Sequence, residues 1–468
     1  MNGDSTKKYR LEKDSLGELE IPSDVYFGIQ TRRALENFPL TGQKVNFSLI
    51  KAYGLVKKAC ALANLELKLL DAEKAEAIIR ACDEIAGGAF ADQFPIDPLQ
   101  GGAGTSTNMN VNEVLANRAI ELLGGKPGDY ALVHPIEHAN LNQSTNDTYP
   151  TALKIAAILK FRELSSQIAG LQGAFQNKEK EFAGVVKIGR TELQEAVPIT
   201  LGREFGAFSE AFARDRWRTF KCEERLRLVN IGGTAVGTGL TAPRSYIFLV
   251  IETLRQVTGL GLARGETALD QTANNDCFVE VSGMLKAHAA NLIKISRDLR
   301  LLNLLGEIIL PALQPGSSIM PGKNNPVVPE AAAQAGMKVI ANDLLVTQAC
   351  SAGSLQINEF MPVIAHALLE SLDLLVNADQ MFARHVSGII ADEKKCRWYF
   401  DRSPAIATAL LPHLGYEKTQ ELLAEFKNSD GDDLRAFLSE KLGREFINRV
   451  FDPYNLVALG HADNGKNT

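Results

Sequence analysis

"TALKIAAILKFRELSSQIAGLQGAF", Thr151 to Phe175, decides the fold class. Ile155, Ile158, Leu159, Phe161, Leu164, Ile168, Leu171 and Phe175 recur largely at steps of three and four, the period of a helix with one buried face. "MLKAHAANLIKISRDLRLL" repeats the pattern with Leu285, Leu292, Ile295, Leu299 and Leu302. From Val327 to about Gly388 the period stays near 3.6, with proline only at 329 and 362. Helices this long are uncommon in compact monomers and predict a bundle, an oligomeric one. Patterning with a period of two is scarce. The expected fold is mainly α, with a long central helical bundle.

Working outward, the chain divides into an N-terminal, mostly helical part (1–143), the central bundle (144–396) and a small helical C-terminal part (397–468). The first stretch, to about residue 45, reads as short extended pieces with turns at Ile21–Asp24 and Thr41–Gly42. Helical spacing begins at Phe47, resumes after Asp71 and stops at the glycine pair 87–88. Pro95, Pro98 and the glycines at 101–104 mark a loop. The tail "GHADNGKNT" is polar and is expected to lack fixed structure.

The 468 residues carry 50 Lys+Arg against 56 Asp+Glu, a net charge of −6. That lacks the basic footprint of a nucleic-acid binder, although a local basic site can still take an anion. Hydrophobic residues at 45% and charged residues at 23% describe a soluble globular protein. The six cysteines form no C-x-x-C pair, so reduced thiols in the cytoplasm are expected rather than zinc knuckles or a disulfide scaffold. "MNGDSTKKYRLEKDSLGELEIP" has no apolar signal core. The most apolar run, "SYIFLVIETL", reaches Glu252 too soon to span a bilayer, so no membrane partner is expected.

Four polar stretches are richer than helix ends and turns require. "QGGAGTSTNMNVNE" (100–113) would serve as a turn and cap before Val111. "HANLNQSTNDTYPT" (138–151) would cap the long helix, but one cap needs one or two polar side chains, and Ser144, Thr145, Asn146 and Asp147 are four in a row. A helix N-terminus crowded with short donors is also an anion site. "KIGRTELQEAVPIT" (187–200) would be a loop with solvated charges, and "GSSIMPGKNNP" (316–326) a Gly/Pro-rich loop or mobile lid. Taken together they supply hydroxyls, amides and Lys323, with no metal-ligand cluster and no Cys–His pair. Such an inventory suits a small dicarboxylate, with one carboxylate on hydroxyls and amides and the other on Lys with Asn. A proton would then be drawn from the carbon beside the second carboxylate, and fixed donors would hold the aci-carboxylate that results.

These stretches resemble the aspartase/fumarase superfamily. "GSSIMPGKNNP" is similar to its signature, which usually has a small apolar residue where Asn324 stands. "VYFGIQTRRALENFPLTG", "QGGAGTSTNMNVNE", "QSTNDTYPT", "GRTELQEAVP", "GGTAVGTGL" (232–240) and "GSLQINEFMPVIAHALLES" (353–371) fall in the family's order. "YFGIQT", "QGGAGTS" and "STNDTYPT" look more like the aspartase branch than the fumarases. The resemblance implies a homotetramer with a multi-helix core and active sites shared between subunits. It implies reversible elimination of ammonia from L-aspartate to give fumarate, with Ser317 as carbon-acid base and Lys323 as its catalytic partner. Substrate contacts fall on Thr105, Ser144, Thr145, Asn146, Thr191, Ser318, Lys323 and Asn325. No cofactor or metal ligand is implied, beyond activation by a divalent ion such as Mg2+ in related enzymes.

One position departs from the pattern. After Gly-Arg-Thr the family usually carries His or Gln, and this chain has Glu192, a further candidate contact. A His there pairs in relatives with a Glu that here matches Glu330. Glu192 would then either share a proton with Glu330 or accept the substrate ammonium. Ammonium leaves without an acid, whereas hydroxide needs one, so loss of the His favours an amine lyase over a hydratase. The competing readings are fumarate hydration, a lyase for an N-substituted aspartate or another amine, and a non-catalytic scaffold of the lens-crystallin kind. A nucleotide loop at "GGTAVGTG" fails the G-x-G-x-x-G spacing.

Overall fold

The computed structural model describes residues 8–429 and 433–460. The polar tail after Gly460 lies outside them. The chain is mainly α, as its periodicity predicts. An N-terminal hairpin, β1 (Tyr9–Asp14) and β2 (Gly17–Pro22), leads to α1 (Ile29–Asn37), α2 (Phe47–Glu66), α3 (Ala72–Ala86) and α4 (Thr105–Leu122). The Asn46 side chain caps α2 by accepting from the Ser48 N–H, and Asp71 caps α3 at Lys74. The long α5 (Thr145–Glu181) is followed by the hairpin β3 (Val186–Thr191) and β4 (Gln194–Thr200), then α6 (Leu201–Leu226). Next come β5 (Leu228–Val229), α7 (Arg244–Thr258), β6 (Ala263–Arg264), parallel to β5, and α8 (Ala268–Ala273). The long α9 (Asp276–Leu305), β7 (Ile308–Ile309), α10 (Val327–Ser351) and α11 (Met361–Ser387) precede β8 (Ile390–Ala391), which pairs with β7. A cluster of short helices from α12 (Glu393–Arg402) onward closes the chain.

In the opening stretch every periodic position except Leu159 is buried, and the five leucine and isoleucine positions of the 284–302 run are buried as well. The period between 327 and 388 is interrupted at 352–360, where the Asn358 amide donates to the carbonyls of Ala349 (3.0 Å) and Cys350 (3.2 Å) at the end of α10. A side chain thus takes over carbonyls that the next helical turn would have used. Helix α11 is long and apolar enough to cross a membrane by length and composition. Its acids Glu370 and Asp373, however, pair with Lys338 (3.2 Å) and Lys160 (2.8 Å) of the same chain, as in a core helix of a folded protein.

The chain forms two compact units, each built from three separate segments: residues 1–166, 217–289 and 336–376 in the first, and 167–216, 290–335 and 377–468 in the second. In the first, α2 packs on α3 and α7, with Tyr53, Cys60 and Val56 fully buried. In the second, Phe175 stacks on Phe212 (5.4 Å) and meets Phe208 and Phe382 edge-on. A second core there holds Phe400, Leu410, Leu422, Leu438 and Ile447, and Ile188 of β3 is inserted into it. Each such side chain contributes about 1.5–3 kcal/mol by leaving water. The β3–β4 hairpin is thereby fastened to the C-terminal helices.

Candidate active site

The sequence-predicted contacts fall into two groups. Thr105, Ser144, Thr145 and Asn146 belong to the first unit; Thr191, Glu192, Ser317, Ser318, Lys323 and Asn325 belong to the second.

In the first unit, α4 and α5 begin side by side. Gly104 has φ 93°, and a Cβ there would lie 2.1 Å from Cδ2 of Tyr149, so only glycine lets the start of α4 approach α5 this closely. Thr105 opens α4, and its hydroxyl donates to the Gly102 carbonyl at 2.7 Å. Ser144 caps the start of α5 and Asp147 reaches back to it: the Ser144 N–H donates to Asp147 Oδ1 (3.0 Å), and the Asn146 N–H donates to Ser144 Oγ (3.2 Å). Thr145 Oγ1 accepts from the Asn108 amide at 3.1 Å. The Asn146 amide donates to the Ala235 carbonyl at 2.7 Å. Asp147 Oδ2 accepts the N–H groups of Gly232 (3.1 Å) and Thr234 (3.0 Å). The "GGTAVGTGL" stretch is therefore a loop clasped to the start of α5. Burial pushes the Asp147 carboxyl up to about 7, against the pull of the three backbone N–H donors.

Sequence reasoning missed what stands behind this group. Lys57 is buried, and its Nζ donates to Asn140 Oδ1 (2.9 Å) and Gln143 Oε1 (2.8 Å). Asn140 Oδ1 also accepts from Asn108 (3.2 Å), which reaches Thr145. Burial lowers the Lys57 ammonium to about 8. A signal was present: Lys57 stands in phase with Tyr53, Val56 and Cys60, on the apolar face of α2.

In the second unit the loop 316–326 closes on itself. The Gly316 N–H donates to the Lys323 carbonyl (2.8 Å), and the Asn325 amide donates to the Gly316 carbonyl (2.7 Å). Ser317 Oγ accepts the N–H groups of Met320 (2.9 Å) and Ile319 (3.2 Å). Ser317 and Lys323 line one cavity of about 460 Å³, walled by residues 312–324 alone, among them Leu313, Pro315, Met320 and Asn324. Ser318 is exposed, and Asn325 serves as the clasp.

Thr191 and Glu192 are exposed at the β3–β4 tip. Thr191 pairs with Gln194, leaving a two-residue loop in which Glu192 (φ 51°) and Leu193 (φ 62°) are both left-handed. Asn-Gly is the usual pair for this turn, and each non-glycine residue held so costs about 1–2 kcal/mol. Among the described residues Glu192 makes no hydrogen bond or ion pair. Glu330 is paired with Arg300 at 3.2 Å. No group of three or more His, Cys, Asp or Glu side chains is placed to hold a metal among the described residues.

Comparison with known proteins shows the class to which the chain belongs, that of the lyases. Residues 17–341 match the lyase family model, and the chain belongs to that family. It is 45% identical over 461 residues to an aspartate ammonia-lyase from Bacillus sp, covering 97% of this chain and 98% of that one. It is 44% identical to the aspartate ammonia-lyase of Bacillus subtilis, with 97% and 98% covered. Among solved structures, the fumarate lyase:delta crystallin from Brucella melitensis bound to cobalt superposes with TM-score 0.93 at 44% identity, over 97% of this chain and all (100%) of that one. The class II fumarase from Schistosoma mansoni gives TM-score 0.89 at 31% identity, over 95% and 98%.

Proposed function

We propose that the protein is an aspartate ammonia-lyase, converting L-aspartate reversibly to fumarate and ammonia. The observation that carries the mechanism is Ser317 Oγ facing the N–H groups of Ile319 and Met320, with Lys323 on the same cavity. A serine hydroxyl is a weak base, and fixed donors and a cation favour its alkoxide. The alkoxide takes the C3 proton and becomes the hydroxyl, and the C–H electrons pass into the adjacent carboxylate as an aci-carboxylate. That electron pair returns to form the C2–C3 double bond, while the C2–N bonding pair leaves with nitrogen as ammonia. Lys323 and Asn325 hold the carboxylate that gains charge. Thr105, Ser144, Thr145, Asn146, Thr191 and Ser318 hold the remaining groups, and Glu192 receives the ammonium. The reading assigns no cofactor and no metal ligand.

The enzyme acts as a homotetramer in the cytoplasm, with active sites shared between subunits. Met337, Ile340 and Leu344 form an exposed apolar stripe on α10, which supports burial against other copies. Buried reduced Cys60 and Cys82 support a reducing compartment. A second reading, an N-substituted aspartate or another amine as substrate, is favoured by the free Glu192 carboxylate and by Asn324 in the cavity wall. Fumarate absorbance with L-aspartate, L-malate and an N-substituted aspartate offered in parallel separates the readings. Fastest formation from L-aspartate supports the first, and faster formation from either rival replaces it.

A further inference from the structure

The hairpin tip is held from behind. Among the described residues Thr191, Glu192 and Leu193 make no side-chain hydrogen bond or ion pair, although two of them are left-handed. One residue back, Arg190 Nη1 lies 2.7 Å from Glu307 Oε1, and its guanidinium stands 4.8 Å from the centre of the Tyr399 ring. Glu307 is 0% exposed, and its Oε2 lies 2.7 Å from Lys187 Nζ, which also reaches Glu204 at 2.6 Å. On the opposite strand Glu195 accepts from the Ser403 hydroxyl at 2.7 Å. A β-bulge between Ile188 and Arg190 turns Arg190 out of the strand's regular register. Both strands are therefore anchored beside the tip, at 190 and 195, on α12 and its neighbours and on the end of α9. Buried ion pairs are poor stabilisers, because desolvation offsets their attraction, but they hold a fixed geometry well.

We propose that Arg190 and Glu307 are positioning residues: the buried Glu307 carboxylate fixes Arg190, and Arg190 sets Thr191 and Glu192 where the dicarboxylate must meet them. The proposal rests on the reading of Thr191 and Glu192 as substrate contacts. Arg190→Gln removes the tie but leaves Glu307 paired with Lys187, so the network keeps a partner for its buried carboxylate. Tyr399→Leu loosens Arg190 while every charge stays paired, and it carries the test if the first variant does not fold.

The test is steady-state kinetics on the full chain for Arg190→Gln, Tyr399→Leu, Thr191→Ala and the Arg190→Gln/Thr191→Ala double variant. Arg190→Gln is expected to raise KM for L-aspartate about tenfold with kcat per folded site within about threefold. Tyr399→Leu shifts KM in the same direction, and the double variant is no worse than Thr191→Ala, because both changes act through one tip. A lower kcat that tracks lost folded protein, with KM unchanged, marks a merely structural role and overturns the proposal, as does additivity in the double variant. If Thr191→Ala raises KM and Arg190→Gln does not, the positioning role alone fails. If Thr191→Ala leaves KM unchanged, the substrate-contact reading fails and takes the proposal with it.

Discussion

The Asn230 side-chain amide donates to the Asn146 carbonyl at 2.9 Å. That carbonyl is the one Pro150 leaves without a partner, because proline, four residues on in α5, has no N–H to return. A neighbouring loop thus supplies the bond the helix lacks, at a residue whose side chain is assigned to the substrate.

Asn230→Ala should leave the Asn146 carbonyl unsatisfied at a half-buried position. Thermal or denaturant unfolding should show a loss of about 1–3 kcal/mol. KM for L-aspartate should rise as well, because the start of α5 relaxes. Unchanged stability would mean that water replaces the amide at no cost.

Lys323→Ala should lower kcat and raise KM together, since the carboxylate it holds gains charge as the reaction proceeds. Lys323→Arg should rescue poorly, a planar fork replacing a compact ammonium. A change in KM alone would make Lys323 a uniform binder.

Shared active sites predict complementation. An inactive Ser317→Ala protein and a Thr191→Ala protein, assayed at L-aspartate well below its raised KM where it turns over little, are unfolded and refolded together. Hybrid tetramers, verified by mass, should recover part of the activity. Verified hybrids without recovery would place each site within one chain.

Asp147 makes stability depend on pH. Its folded-state pKa of about 7 lies above the ordinary 3.8, so the fold favours the protonated carboxyl. Its contribution is complete below about pH 4 and is lost as pH rises through 7. Asp147→Asn keeps one acceptor but turns an amide N–H toward the Gly232 and Thr234 donors, and should cost about 2–3 kcal/mol at low pH. Denaturation at several pH values should show that gap narrowing toward neutral pH, and a gap that widens would reverse the sign assigned to burial.

Much of this was legible along the chain. Helical period located α2, α3, α5, α9, α10 and α11, because a buried face imposes its spacing on the sequence. The polar stretches stood out because helices have no use for Ser317 or Lys323, and one helix cap needs fewer polar side chains than the Ser144–Asp147 run supplies. Other features were not legible because they depend on partners distant in sequence. Asn358 ends α10 through carbonyls eight and nine residues earlier, Asn230 serves a proline 80 residues before it, and Glu307 meets Arg190 across 117 positions. The two compact units are likewise assembled from separate segments, which no linear pattern announces.

The most direct test follows fumarate and ammonia released from L-aspartate by the parent protein and by Ser317→Ala, with binding measured by calorimetry. The parent should release the two products in equal amounts. The variant should lose about three decades or more in kcat while still binding L-aspartate, because the base is gone and the donors remain. Near-normal turnover by Ser317→Ala, or no fumarate from the parent, would contradict the account.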